Sequence, residues 1–176
     1  QFLFSEAKGE PAFIEYLIAQ FDGITSNLSF DLKADMIKAM AIIISGASDE
    51  GQKSKLTRDL MDDMNKKWDF QTSQFENDEK CLKNILFILK CNMYVASKVG
   101  AAFHAQFSEI FKQIVEMYEA CCSTCSEIID QGGEVMHQSE IFRLCMQIKS
   151  TIIQIMIEFT RSTTNTTTIK TTILKN

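Results

Sequence analysis

Apolar residues recur at helical spacing along almost the whole chain, and six helical segments follow from that pattern. The first, residues 11–26, sets Phe13, Leu17, Phe21 and Ile24 on one stripe, with Pro11 in its first turn where a missing N–H is harmless. The second, 31–45, carries Leu32, Met36, Met40 and Ile43, and Gly46 follows as a stop. Ser48 ahead of Asp49 and Glu50 reads as a cap followed by acids that suit the positive end of a helix dipole. It opens the third segment, 49–71, with its stripe of Leu56, Leu60, Met64 and Trp68. Asn77, Asp78 and Glu79 repeat that start signal for the fourth, 78–98, which carries Leu82, Ile85, Leu86, Leu89 and Met93.

The fifth segment, 101–131, follows Gly100 with almost no intervening chain. Phe103, Phe107, Ile110, Ile114, Met117, Tyr118, Cys121, Cys125 and Ile128 line one side of it, and Gly132 and Gly133 end it. The sixth, 139–161, starts at Ser139 and carries Ile141, Leu144, Ile148, Ile152, Ile155 and Phe159. No stretch alternates with period two for long enough to argue for a sheet, so the expected fold class is all-α. The folded unit is expected to end near residue 161, leaving the Thr-rich tail 162–176 poorly ordered.

Taken in pairs, the helices recur at roughly 40 to 60 residues, comparable with two-helix solenoid repeats. Each pair would then bury one face on the next, and the abrupt junction at Gly100 would be the tight turn of an antiparallel pair. Periodicity alone leaves a plain helical bundle equally open.

Composition sharpens this picture by exclusion. Seven Gly and one Pro in 176 residues leave few breakers, which favours helices over sandwiches. The net charge of −5 is spread along the chain, so no basic stripe exists to neutralise phosphates, and nucleic acid is not expected as a partner. The longest apolar run, near Met40 to Ile44, falls far short of the roughly 20 residues of a membrane span, so no membrane insertion is expected. The opening QFLFSEAKGEP has neither a basic region nor a cleavage site and reads as internal to a longer protein.

Candidate chemistry is sparse. Six cysteines, Cys81, Cys91, Cys121, Cys122, Cys125 and Cys145, would allow fifteen pairings if all were bridged. Three of them crowd into CCSTC in mid-helix, poorly placed to staple distant segments, and reduced nucleocytoplasmic thiols are the expectation. Cys122 and Cys125 have the spacing of half a zinc site, but no second pair accompanies them and His104 and His137 lie at no matching spacing. Cys121 and Cys125 are one helical turn apart and suit core positions. Nothing assembles a nucleophile with a base, so catalytic residues, metal and cofactor are expected to be absent. The glycosylation triplets at Asn27 and Asn165 arise readily by chance. In DDMNKKW, Asp62, Asp63, Lys66 and Lys67 pair at i,i+4 on a solvated helix face. Together with Lys112 and Glu116 on the fifth helix they are the candidate partner-facing residues.

The stretch ILKCNMYVASKVGAAF carries a further signal. Ile88, Leu89, Lys90 and Asn92, then Val99 and Gly100, then Phe103 opening the next helix, resemble the exportin-1 family of nuclear export receptors in the karyopherin superfamily. Upstream, PAFIEYLIAQFDGI is similar to that family's Pro-Phe-Ile helix, and Trp68-Asp69 to its Trp-Asp at a repeat end. Downstream, IVEMYEACCSTCSEII with Tyr118, GGEV at Gly133, and the helix bearing Arg143 and Lys149 keep the same order. The match runs from about Pro11 to Phe159. Departures are Met64 and Asn65 where the family has Pro, Lys38 where it has an acid, and a tail, TTNTTTIKTTILKN, without the family's Pro pair.

The resemblance implies an α-solenoid of about three HEAT-type helix pairs from a non-catalytic receptor that shuttles between nucleus and cytoplasm. Its implied partners are Ran-GTP, export-signal cargo and nucleoporins, and the first, third and fifth helices would face inward toward Ran. The family's signal groove and reactive cysteine would precede residue 1, so none of the six cysteines takes that role. The alternatives are another helical-repeat transport or adaptor scaffold, or a secreted helical protein bridged by its cysteines.

Overall fold

The computed structural model describes residues 3–4, 12–73, 78–132 and 139–162. Seven α-helices are found there: α1 Phe13–Ala19, α2 Phe21–Thr25, α3 Phe30–Ser45, α4 Glu50–Ser73, α5 Glu79–Val99, α6 His104–Gly132 and α7 Glu140–Ser162. A single 3-10 turn, Gly100–Phe103, joins α5 to α6, and there is no strand among the described residues. The all-α expectation holds. Pro11, Asn77, Gly133, His137 and the tail from residue 163 lie outside the described residues.

The helix starts are set by side chains that accept the free N–H groups of a first turn. Ser29 accepts from Leu32 N–H, Asp78 from Lys80 and Cys81 N–H, and Ser139 from Phe142 N–H. At α4 the cap is Asp49, which accepts from Gln52 N–H at 2.6 Å, and not Ser48 as the sequence suggested. A carboxylate there also meets the helix dipole.

Two stripes differ from those expected. The segment 11–26 is two helices broken at Gln20, and its buried residues are Ile14, Phe21 and Thr25, while Phe13 and Ile24 are 42% and 46% exposed. In α3 the buried line is Ala34, Ile37, Met40, Ala41 and Ile44, and Leu32 is 53% exposed. In both cases many aliphatic residues around the helix allowed several stripes, and small alanines on α3 mark where a neighbour approaches closely. The expected stripes of α4, α5, α6 and α7 are buried, with Met93, Tyr118, Ile128 and Ile141 half-buried at their margins.

The directions of the helices separate a stack from a bundle. In α3 and α5 the contacts rise together: Phe30 stacks on Phe87, Asp31 pairs with Lys90, and Lys38 lies over Tyr94. These two helices are therefore parallel. So are α1 and α4, since Glu15–Lys55 is followed along α4 by Asp22–Lys67 from the adjoining α2, and α4 and α6, through Asn65–Gln106 and Trp68–Gln113. The pairs α4/α5 and α6/α7 run opposite ways: Gln71 of α4 meets Asn84 of α5, while Phe107 and Phe159 close α6 on α7 with ring centroids 3.9 Å apart.

The result is two layers, α3/α5/α7 and α1/α4/α6, parallel within each and antiparallel between them. An up-and-down bundle would make side-by-side neighbours antiparallel. Hairpins stacked sideways give the observed pattern, so the chain is an α-solenoid of helix pairs.

The most extensive packing joins α5 to α7 and α3 to α5. Flanked on both sides and backed by α4, α5 buries twelve residues, among them Leu82, Ile85, Ile88, Leu89, Val95 and Val99. Each such aliphatic side chain stabilises by about 1.5–3 kcal/mol on burial. The apolarity of the segment Glu79–Asp130, where an 18-residue window reaches a mean hydropathy of 1.3, matches this burial, 61% of that window lying inside the fold.

Candidate protein-docking surface

The polar residues of the fold concentrate where α4 meets α6. Asn65 Nδ2 donates to Gln106 Oε1 at 2.9 Å, and Gln106 Nε2 donates to Asn65 Oδ1 at 2.7 Å and to Asn92 Oδ1 at 3.0 Å. Asn92, 1% exposed, donates in turn to the carbonyl of Ile88 at 3.0 Å. One helical step on, Trp68 Nε1–H donates to Gln113 Oε1 at 2.7 Å, and Gln113 Nε2 donates to Asp69 Oδ1 at 3.1 Å. Buried amides that find all of these partners fix a register, because a slide of one turn would orphan them. The seam holds α4 and α6 in a set relation and so positions the charged faces on either side of it.

Of the candidate partner-facing residues, four lie on α4 and pair with one another. Lys66 Nζ is 2.5 Å from Asp62 Oδ2, and Lys67 pairs with Asp63. The fold adds a residue that the sequence did not point to: Asp22 of α2 lies 3.2 Å from Lys67 Nζ. Forty-five positions separate the two, and only the parallel course of the layer brings them together. Asp62 holds the Lys66 ammonium above its usual range. Burial acts to lower Lys67, but Asp63 and Asp22 outweigh it and the net shift is upward. On α6, Lys112 and Glu116 form their own i,i+4 pair at 3.7 Å. All six candidates thus stand on the α1/α4/α6 layer as ion pairs at least 40% open to solvent, each worth little to stability.

The six cysteines are free, and all but the half-buried Cys122 are buried. Burial pushes the Cys91 thiol up to about 12, far from a reactive thiolate. Among the described residues no His, Cys, Asp and Glu group could hold a metal ion.

The residues that carried the resemblance now have structural roles. Asn92 is the buried hub of the amide network, Phe103 is fully buried, and Trp68 and Asp69 anchor Gln113. Gly100 has φ +60° and ψ −129°, a conformation open to glycine and strained for an L side chain. Asn65 supplies the α4 arm of the network.

The family model described as CRM1 C terminal matches residues 106–176. Exportin-1 of Schizosaccharomyces pombe is 22% identical over 150 residues, which are 82% of this chain. The chain is similar to exportin-1 over most of its length. Protein EXPORTIN 1B of Arabidopsis thaliana is 23% identical over 158 residues, 86% of the chain. The chain spans 14% and 15% of the length of these two relatives.

Proposed function

We propose that the chain is a scaffold segment of a nuclear export receptor, working by shape and protein binding without catalysis and shuttling between nucleus and cytoplasm. The observation that carries this reading is the collinear similarity to exportin-1 over more than four-fifths of the chain, laid onto parallel layers of stacked hairpins. In this reading the α1/α4/α6 layer faces the GTP-bound form of Ran, and Asp62, Asp63, Lys66, Lys67, Lys112 and Glu116 are the side chains offered to it. Pre-paired ions suit that task. Each can exchange its intramolecular partner for an intermolecular one without first exposing a bare charge, which favours specificity and association rate over raw affinity. Cargo, Ran and nucleoporins would bind the whole receptor, with coupling between Ran and cargo of about 1–3 kcal/mol carried by shifts of stacked helices.

The test is a chimaera in which this chain replaces its matching segment in Schizosaccharomyces pombe exportin-1. The reading expects binding that prefers Ran-GTP over Ran-GDP and weakens when Lys66 and Lys67 are changed to Glu. A chimaera that folds, by circular dichroism and gel filtration, yet does not distinguish the two nucleotide states would sink it.

A further inference from the structure

The α3/α5/α7 layer has an open face away from α4 and α6, and a groove of about 450 Å³ crosses it between the C-terminal halves of α5 and α7. Met93, Tyr94 and Ile157 give it an apolar lining, and Lys38, Lys98 and Arg161 rim it. Arg161 is paired with Glu158 at 2.7 Å. Lys38 and Lys98 have no carboxylate in ion-pair range among the described residues. Lys98, in the last turn of α5, answers that helix's dipole. Lys38 stands in mid-helix without that reason, its ammonium 5.1 Å from the Tyr94 ring centroid.

Two other grooves lack this excess of positive charge. The one between α1 and α4 is lined by Asp22, Asp59 and Asp63, and the one at the start of α3 balances Asp31 against Lys90. An excess of positive charge around an apolar floor, in a chain of net charge −5, selects its occupant by complementarity.

We propose that this groove docks an acidic segment of a partner protein. The segment sets bulky apolar side chains against Met93, Tyr94 and Ile157 and presents carboxylates to Lys38 and Lys98. The volume suits a few side chains, so the contact is a short motif held by one or two anchors. The site lies on the layer opposite the proposed Ran-facing residues and does not depend on that assignment.

The experiment is fluorescence anisotropy of the 176-residue chain with two labelled model peptides. One is built from Glu, Leu and Phe, and the other has every Glu replaced by Lys. The acidic peptide is expected to bind and to weaken as salt is raised, while the basic one does not bind. Lys38→Glu with Lys98→Glu should weaken the acidic peptide about tenfold and admit the basic one. Tyr94→Ala should weaken the acidic peptide with the fold intact by circular dichroism. Equal binding of the two peptides, or indifference to the charge reversal, overturns the proposal. So does sedimentation showing that the double variant abolishes self-association of the chain, which would make the groove's occupant a second copy.

Discussion

Replacing Gln106 with Met keeps the length of the side chain and removes every hydrogen bond it makes. Asn92, 1% exposed, then loses the donor to its Oδ1 with no water to replace it. Leaving a buried acceptor without a partner costs about 1–3 kcal/mol. Asn65 is half-buried and can turn to solvent, so its loss is nearer the roughly 0.5–1.5 kcal/mol of an ordinary hydrogen bond. The expected total is about 2–4 kcal/mol, or a fall in Tm of roughly 5–15 °C for a chain of this size. Urea unfolding followed by far-UV circular dichroism reads the first figure and calorimetry the second. Asn92→Leu removes the orphaned acceptor, so the double variant should be more stable than the sum of the two single losses by at least about 1 kcal/mol. If Gln106→Met costs under about 0.5 kcal/mol, or if the two changes simply add, the amides do not form the coupled network described and the seam is held by its apolar neighbours.

Three further outcomes follow from the same geometry. Gly100→Ala meets open space, so its cost is torsional, about 1–3 kcal/mol in urea unfolding; D-alanine installed by chemical ligation prefers that φ and should restore most of the loss, and failure to do so would point to a clash. For Cys91, raised from 9.0 to about 12, the folded state favours the neutral thiol; its contribution is intact below pH 9 and is lost as pH climbs toward 12, by about 4 kcal/mol, and Cys91→Ala should remove that part of the slope in unfolding titrations. Swapping the exposed pair, Asp62→Lys with Lys66→Asp, should change stability by less than about 0.5 kcal/mol, while Ran-GTP binding by the chimaera should change if these residues face the partner.

The sequence showed the fold best where one helix face was oily and the rest was not. Leu56, Leu60, Met64 and Trp68 on α4, and Leu144 through Phe159 on α7, are buried as their spacing indicated. It failed where apolar residues surround the helix, as with Phe13 and Leu32, because spacing cannot rank several stripes without knowing the neighbours. The choice of stack over bundle was likewise closed to periodicity, since both bury identical stripes; it took pairs such as Glu15–Lys55 and Asp31–Lys90 to give the helices direction. The i,i+4 pairing of Asp62 with Lys66 was legible locally. Asp22 beside Lys67, and the amides of Asn65, Asn92 and Gln106 converging from three helices, were not, because no local signal links residues tens of positions apart.

The junction at Gly100 leaves the hairpin α5/α6 with no slack. One residue added or removed between Val99 and His104 would turn α6 by about 100° about its own axis, carrying Gln106 out of reach of Asn65 and Phe107 off Phe159. Length changes in this fold are therefore expected away from the α5/α6 corner, and a relative with an insertion there would have had to rebuild the whole pair.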